Sequence, residues 1–177
     1  MKTNASLPSI VRLILALALL LCAGFSTTNA ASSAGLDDKA AFEKMKSLSG
    51  DWTGPKMMGH RMNAKYRVIA GGSAVLATFF PGTPMEMITV YYLSGDKLVL
   101  THYCMLGNQP RMKFNPKKSA ADTLVFEFAG GDNIHSNTKH MHGETLRLVS
   151  RNKVENTCTS CDKGGKCEQH SSTMVRD

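Results

Sequence analysis

The sequence predicts an all-β domain: about ten short antiparallel strands in an up-and-down barrel, with one short N-terminal helix capping an end. Three observations predict it. After Asp51, apolar and polar residues alternate with a period of two in one segment after another. Gly, Pro, Asn and Asp punctuate those segments at steady spacing. No segment is long enough to carry a crossover, so neighbours in sequence pair as hairpins, and closing such a meander removes its exposed edges.

The elements follow in order. Asp37 or Asp38 can cap a helix that runs to about Leu48, with Phe42, Met45 and Leu48 on one stripe and Gly50 at its end. Trp52 to Met57 is a short first strand. Arg61 to Ala70 sets Met62, Ala64, Tyr66 and Val68 on one face against Arg61, Asn63, Lys65 and Arg67 on the other. Gly71-Gly72 turns the chain into a strand from Ser73 to Phe80, which Pro81-Gly82-Thr83-Pro84 closes. Met87 to Cys104 is the clearest hairpin, turning at Ser94-Gly95-Asp96-Lys97. Strands are expected at Gln109 to Phe114 and Thr123 to Ala129, the second ending in a turn at Gly130-Gly131-Asp132-Asn133. Lys139 to Ser150, Lys153 to Cys161 and Lys166 to Arg176 complete the set.

Residues 1–30 read as an export signal, not as part of the fold. Lys2 and Arg12 supply positive charge, Ile10 to Leu21 is an apolar run short for a membrane span, and Thr28-Asn29-Ala30 fits a small-x-small cleavage site. Leu21 is too bulky to precede a lipidated Cys22. Residues 31–177 are then one barrel domain in the periplasm or outside the cell, with no membrane attachment after cleavage. Losing Lys2 and Arg12 takes the formal charge from +7 to +5. That charge is spread along the chain. Its densest run, Lys113 to Lys118, holds only Lys113, Lys117 and Lys118, so a solvated surface is expected and not a nucleic-acid partner.

Two groups of residues carry a resemblance. Leu48-Ser49-Gly50-Asp51-Trp52-Thr53-Gly54 after a short helix is similar to the opening of calycin-type barrels. Thr101-His102-Tyr103-Cys104 with Gly107-Asn108-Gln109-Pro110-Arg111-Met112, and later Lys139-His140-Met141-His142, resemble an exported bacterial lipocalin-like or calycin-like family with no agreed activity. The resemblance runs over about residues 42 to 165. It implies a barrel of about ten strands and no particular reaction. Cys158 and Cys161 depart from that family's pattern, which has Trp and Tyr there.

The alternation also proposes an interior. Pairing Leu93 with Leu98 sets Met87, Thr89 and Tyr91 on one face with Leu100, His102 and Cys104. On the strand from Lys139, strict alternation groups His140, His142, Glu144, Leu146 and Leu148, and Arg147 between two leucines turns that group inward. Both hairpin faces are apolar enough to be the inner one; if its His102 face turns inward, His102, His140, His142 and Glu144 could converge as a set that Zn²⁺, Cu²⁺ or Fe²⁺ would accept. Polar residues satisfying one another inside a narrow barrel would give the same pattern.

Cys158, Cys161, Cys167 and His170 have a zinc-like spacing. Yet Cys161 and Cys167 flank the last hairpin turn, so an exported chain is expected to join them as a disulfide. No helix precedes Cys158-x-x-Cys161 to lower a thiol pKa for redox work. Met57-Met58-Gly59-His60-Arg61-Met62 offers soft ligands for copper, or simply methionines that fill irregular core space.

No nucleophile elbow, phosphate-binding glycine loop, dinucleotide fingerprint or H-E-x-x-H occurs in the sequence, and no residue is assigned to catalysis. The leading expectation is a barrel that binds a small, partly apolar ligand through Tyr66, Tyr91, His102, Tyr103, Asn108, Gln109, Arg111 and Phe126. Asn108, Gln109 and Arg111 could equally cap strand ends. The alternatives are a metal-binding or metal-dependent protein built on the histidines, and a filled barrel with a structural or interaction role.

Overall fold

The computed structural model describes residues 35–57, 59–135, 138–162 and 164–177. The expected leader over residues 1–30 and Met58 of the methionine stretch lie outside the described residues.

Among the described residues, one α-helix, α1 (Asp38–Ser47), precedes ten strands: β1 (Gly50–Met57), β2 (His60–Ile69), β3 (Ala74–Phe79), β4 (Met87–Ser94), β5 (Lys97–Tyr103), β6 (Gln109–Phe114), β7 (Thr123–Asp132), β8 (His140–Ser150), β9 (Lys153–Cys161) and β10 (Cys167–Arg176). Each strand pairs antiparallel with its neighbour in sequence, and β1 pairs with β10, so the sheet closes into an up-and-down barrel. This architecture fits a calycin-like fold.

The helix forms where its caps and stripe predict. Asp37 is the N-cap, its Oδ1 accepting the Ala40 N–H at 2.7 Å. Phe42, Met45 and Leu48 are buried. Each such side chain contributes roughly 1.5–3 kcal/mol of apolar burial. Asp38 has a different task from capping. Its Oδ1 accepts the Leu98 N–H at 2.8 Å, and its Oδ2 lies 3.4 Å from Lys97 Nζ. The helix is thereby latched across the β4–β5 end of the barrel.

Closure needs the last strand to meet the first. Only Trp52↔Arg176 and Thr53↔Val175 are paired across that seam. Past them, β1 carries a bulge between Thr53 and Lys56, where Pro55 has no N–H to give. Arg176 reinforces the join. Its guanidinium lies over Trp52 at 4.3 Å and donates to the carbonyls of Ser47, at 3.0 Å, and Ser49, while Trp52 Nε1 donates to Leu48 O at 2.8 Å. Gly50 is required here. Its φ is +137°, and a Cβ would sit 2.6 Å from Arg176 Nη1.

The interior follows the alternation. The hairpin pairs Leu93 with Leu98, and Thr89, Tyr91, Leu98, Leu100 and His102 are buried. Edge-on aromatic contacts link Tyr91 to Phe126 at 5.7 Å and Phe126 to Phe114 at 5.8 Å.

Two departures from strict alternation matter. The turn expected at Gly130-Gly131-Asp132-Asn133 is strand as far as Asp132. Gly130 and Gly131, at φ +101° and +153°, instead absorb an irregularity opposite Pro110 and Met112. Glycine's freedom at positive φ serves a bulge as readily as a turn. The second bulge lies in β8, between Met141 and Gly143. It breaks the run of same-face residues from His140 to Leu148.

Candidate functional site

The barrel end away from α1 holds a cavity of about 190 Å³. Its walls come from eight strands and two loops. Met57 of β1, Met62 of β2, Phe79 at the end of β3 and Phe80 just after it make an apolar side. Met87, Thr89, His102 and Cys104 come from the β4–β5 hairpin. Met141 and Glu144 of β8 and Asn156, Cys158 and Ser160 of β9 form the far wall. Leu106, His140 and His170 stand at the mouth, next to the stretch of β10 that runs past its pairing with β1.

The polar floor of this cavity is Glu144. It is 3 % exposed, and both of its oxygens are engaged. Tyr91 Oη donates to Oε2 at 2.8 Å, and Asn156 Nδ2 donates to Oε1 at 2.9 Å. Burial raises its pKa, and the two hydrogen bonds pull against that rise. Tyr66 Oη is buried close by and has no partner among the described residues. Burial, followed by the charge of Glu144, holds the Tyr66 and Tyr91 phenols well above their ordinary range.

His102, Cys104 and Cys158 on the walls are held neutral near pH 7. Burial lowers His102 to about 4, and its Nδ1 shares a 2.8 Å hydrogen bond with Thr89 Oγ1. Burial, then Glu144, pushes the Cys158 thiol up to about 12, and burial also raises Cys104. Both cysteines are free thiols. Glu144 is the one carboxyl group among the described residues that line the cavity.

The expected site residues divide. Tyr66, Tyr91 and Phe126 are buried in the core beneath the cavity, and His102 lines it. Tyr103 lies on the outer face of β5 and is 50 % exposed. Arg111 is exposed and reaches Asp132 at 3.4 Å. Gln109 accepts from Asn133 Nδ2 at 2.7 Å and donates to Gly107 O at 3.2 Å. Asn108 is buried, but its Nδ2 donates to Lys139 O at 2.9 Å, which ties the β5–β6 loop to the chain before β8. Asn108, Gln109 and Arg111 tie strand ends and loops together, and none of the four residues lines the cavity.

The proposed ligand set of His102, His140, His142 and Glu144 is not brought together, and the β8 bulge is the reason. His142 stacks on Phe128 with centroids 4.5 Å apart and lines surface grooves with Thr159, Gln169, Cys161 and Cys167, not the interior. His140 Nε2 and His142 Nδ1 are 3.1 Å apart, so the two imidazoles share a hydrogen bond. Among the described residues, no three His, Cys, Asp or Glu side chains group as a metal site requires. The Cys158-Cys161-Cys167-His170 set is separated too. Cys161 and Cys167 are register partners joined as a disulfide, while Cys158 faces the cavity.

The methionine stretch places Met57 and Met62 on the cavity wall and leaves His60 exposed. Asn156 is the residue that sequence reasoning missed. Its signal was the same alternation, since Val154, Asn156 and Cys158 share a face of β9. Comparison with protein-family models gives no match, and comparison with curated proteins gives none either.

Proposed function

We propose that the protein binds a small, partly apolar ligand inside the barrel. The cavity is the observation that supports this most directly. An apolar cavity of about 150 Å³ is enough to hold benzene. At about 190 Å³, this one suits a compact ring or a short chain and is small for a drug-sized molecule. Met and Phe make one side of it, and Thr89, His102, Glu144, Asn156 and Ser160 are polar groups on the walls that would fix orientation. The proposed ligand contacts are therefore His102 directly, with Tyr91, Tyr66 and Phe126 supporting the floor. A disulfide between Cys161 and Cys167 and a signal-like leader support the reading of the protein as exported, periplasmic or extracellular.

One observation favours a second reading. Met57, Met62, Met87 and Met141 bring four thioethers to the same cavity as the thiols of Cys104 and Cys158, and soft sulfur donors suit Cu(I). Native mass spectrometry of protein purified from its own host separates these readings. The expected result is a retained organic mass, lost when Met87→Trp fills the cavity. A retained metal mass supports the second reading. Bare protein that also takes up no added benzyl alcohol leaves only a filled structural barrel.

A further inference from the structure

We propose that the ligand is a small organic cation, an amine whose ammonium pairs with Glu144 while its apolar part lies against Met62, Met87 and Phe79. The inference rests on the ligand-binding reading above and names the ligand's chemical class.

Glu144 is arranged to accept at both oxygens. Both hydrogen bonds to it are accepted, one at each oxygen, from Tyr91 and Asn156. An ionised carboxylate only accepts, whereas a protonated one must also donate. Asn156 Nδ2 donates to either form, and the Tyr91 hydroxyl can donate to the anion or accept from the acid. Buried carboxylates in folded proteins are paired with a cation or neutralised, because an isolated buried charge is costly. Glu144 takes part in none of the ion pairs among the described residues.

Its neighbours cannot supply the missing charge. Tyr66 on β2, Tyr91 on β4 and Cys158 on β9 are acids that burial keeps neutral, and they have no cationic form. His102 on β5 is held neutral, with its Nδ1 engaged by Thr89. His140 stands at the mouth, its Nε2 near His142 and its Nδ1 3.1 Å from Thr138 O. His170 is exposed there too. Phe126 packs Glu144 from β7 and carries no charge.

The cavity that Glu144 lines thus has at its floor a carboxyl group with no cationic partner among the described residues. The desolvation cost of the carboxylate is incurred on folding. An entering ammonium meets only its own, against attraction in a medium of low dielectric. A neutral ligand of the same shape gains the apolar contact alone.

The experiment compares benzylamine with benzyl alcohol, two molecules of nearly equal shape and different charge, by calorimetric titration of the full chain near pH 7.5. Benzylamine is expected to bind at least tenfold tighter, in line with a charged hydrogen bond. In Glu144→Gln the preference is expected to disappear while benzyl alcohol still binds. Equal affinities in wild type, or a preference that survives in Glu144→Gln, overturn the cation proposal and leave the binding reading standing. Should neither molecule bind wild type, the binding reading and the cation proposal fall together. If Glu144→Gln does not fold, the wild-type pair decides the question without it.

Discussion

Single residues set how this barrel responds to pH, and His102 is the clearest case. Burial places its folded-state pKa at about 4, below the ordinary 6.5. The unfolded chain therefore takes up this proton first. The resulting stability is fully present above pH 6.5 and is lost as pH falls toward 4. The full gap corresponds to on the order of 3 kcal/mol. Glu144 acts in the opposite sense. Its folded pKa is raised, so its contribution is present at low pH and disappears as pH rises through that folded value. A comparison with His102→Gln isolates the first effect, because Glu144 is common to both proteins. Urea unfolding at pH 7 and pH 4.5 is expected to show wild type losing roughly 2–3 kcal/mol more than His102→Gln. Equal losses would sink the assignment of a buried neutral imidazole.

Two pairs of elements are joined by more than their ladder. Asp38 fastens α1 to the β4–β5 turn, which explains why the chain has two adjacent aspartates: Asp37 caps the helix and Asp38 anchors it. At the other end of the barrel, the Cys161–Cys167 disulfide closes the β9–β10 hairpin directly across the ladder. The loop it closes is short, with a sequence separation of 6, so the chain-entropy contribution is modest, about 2 kcal/mol. Replacing both residues by serine is expected to lower the unfolding free energy by that amount, read as a lower urea midpoint, while the far-ultraviolet circular dichroism stays that of a β protein. An unchanged midpoint, with free thiols found at both positions in wild type, would argue against the bond. His140 is the ladder partner of Cys161, so the same substitution tests whether this hairpin steadies the cavity mouth.

At the scale of the whole molecule, the barrel depends on a narrow seam. With two register pairs between β1 and β10, Arg176 carries much of the closure through its contacts with Ser47, Ser49 and Trp52. It also donates to Arg151 O at 3.2 Å, which ties in the β8–β9 turn. Arg176→Ala is expected to cost roughly 2–4 kcal/mol, from charged hydrogen bonds and the cation–π contact together. Arg176→Lys should recover only part of that, because an ammonium cannot reproduce the guanidinium fork. Trp52 is the chain's single tryptophan, so its fluorescence reports the seam directly. A wild-type unfolding curve for Arg176→Ala would place the closure elsewhere. The same seam helps to explain the position of the cavity. Where β10 leaves β1 unpaired, His170, Ser171 and Ser172 line the cavity from the last strand.

The sequence by itself determined the strand count, the helix and its buried stripe, the register of the β4–β5 hairpin and the cysteine pair. All of these follow from short-range signals. Period-two alternation sets the face of a strand, and turn residues set its ends. Those signals placed Tyr66, Tyr91, His102 and Phe126 inside, whereas Tyr103, expected as a ligand contact, lies on the outer face of β5. They could not show the β8 bulge, because one extra residue in a ladder is decided by the partner strand and leaves the local alternation looking regular. That bulge separates His142 from Glu144 and dissolves the histidine set that strict alternation assembled. Only the tertiary structure brought Tyr91, Glu144 and Asn156 from three separate strands onto one carboxylate. Only closure of the barrel made a chamber over it, since a cavity belongs to all of its walls at once and no single strand encodes it.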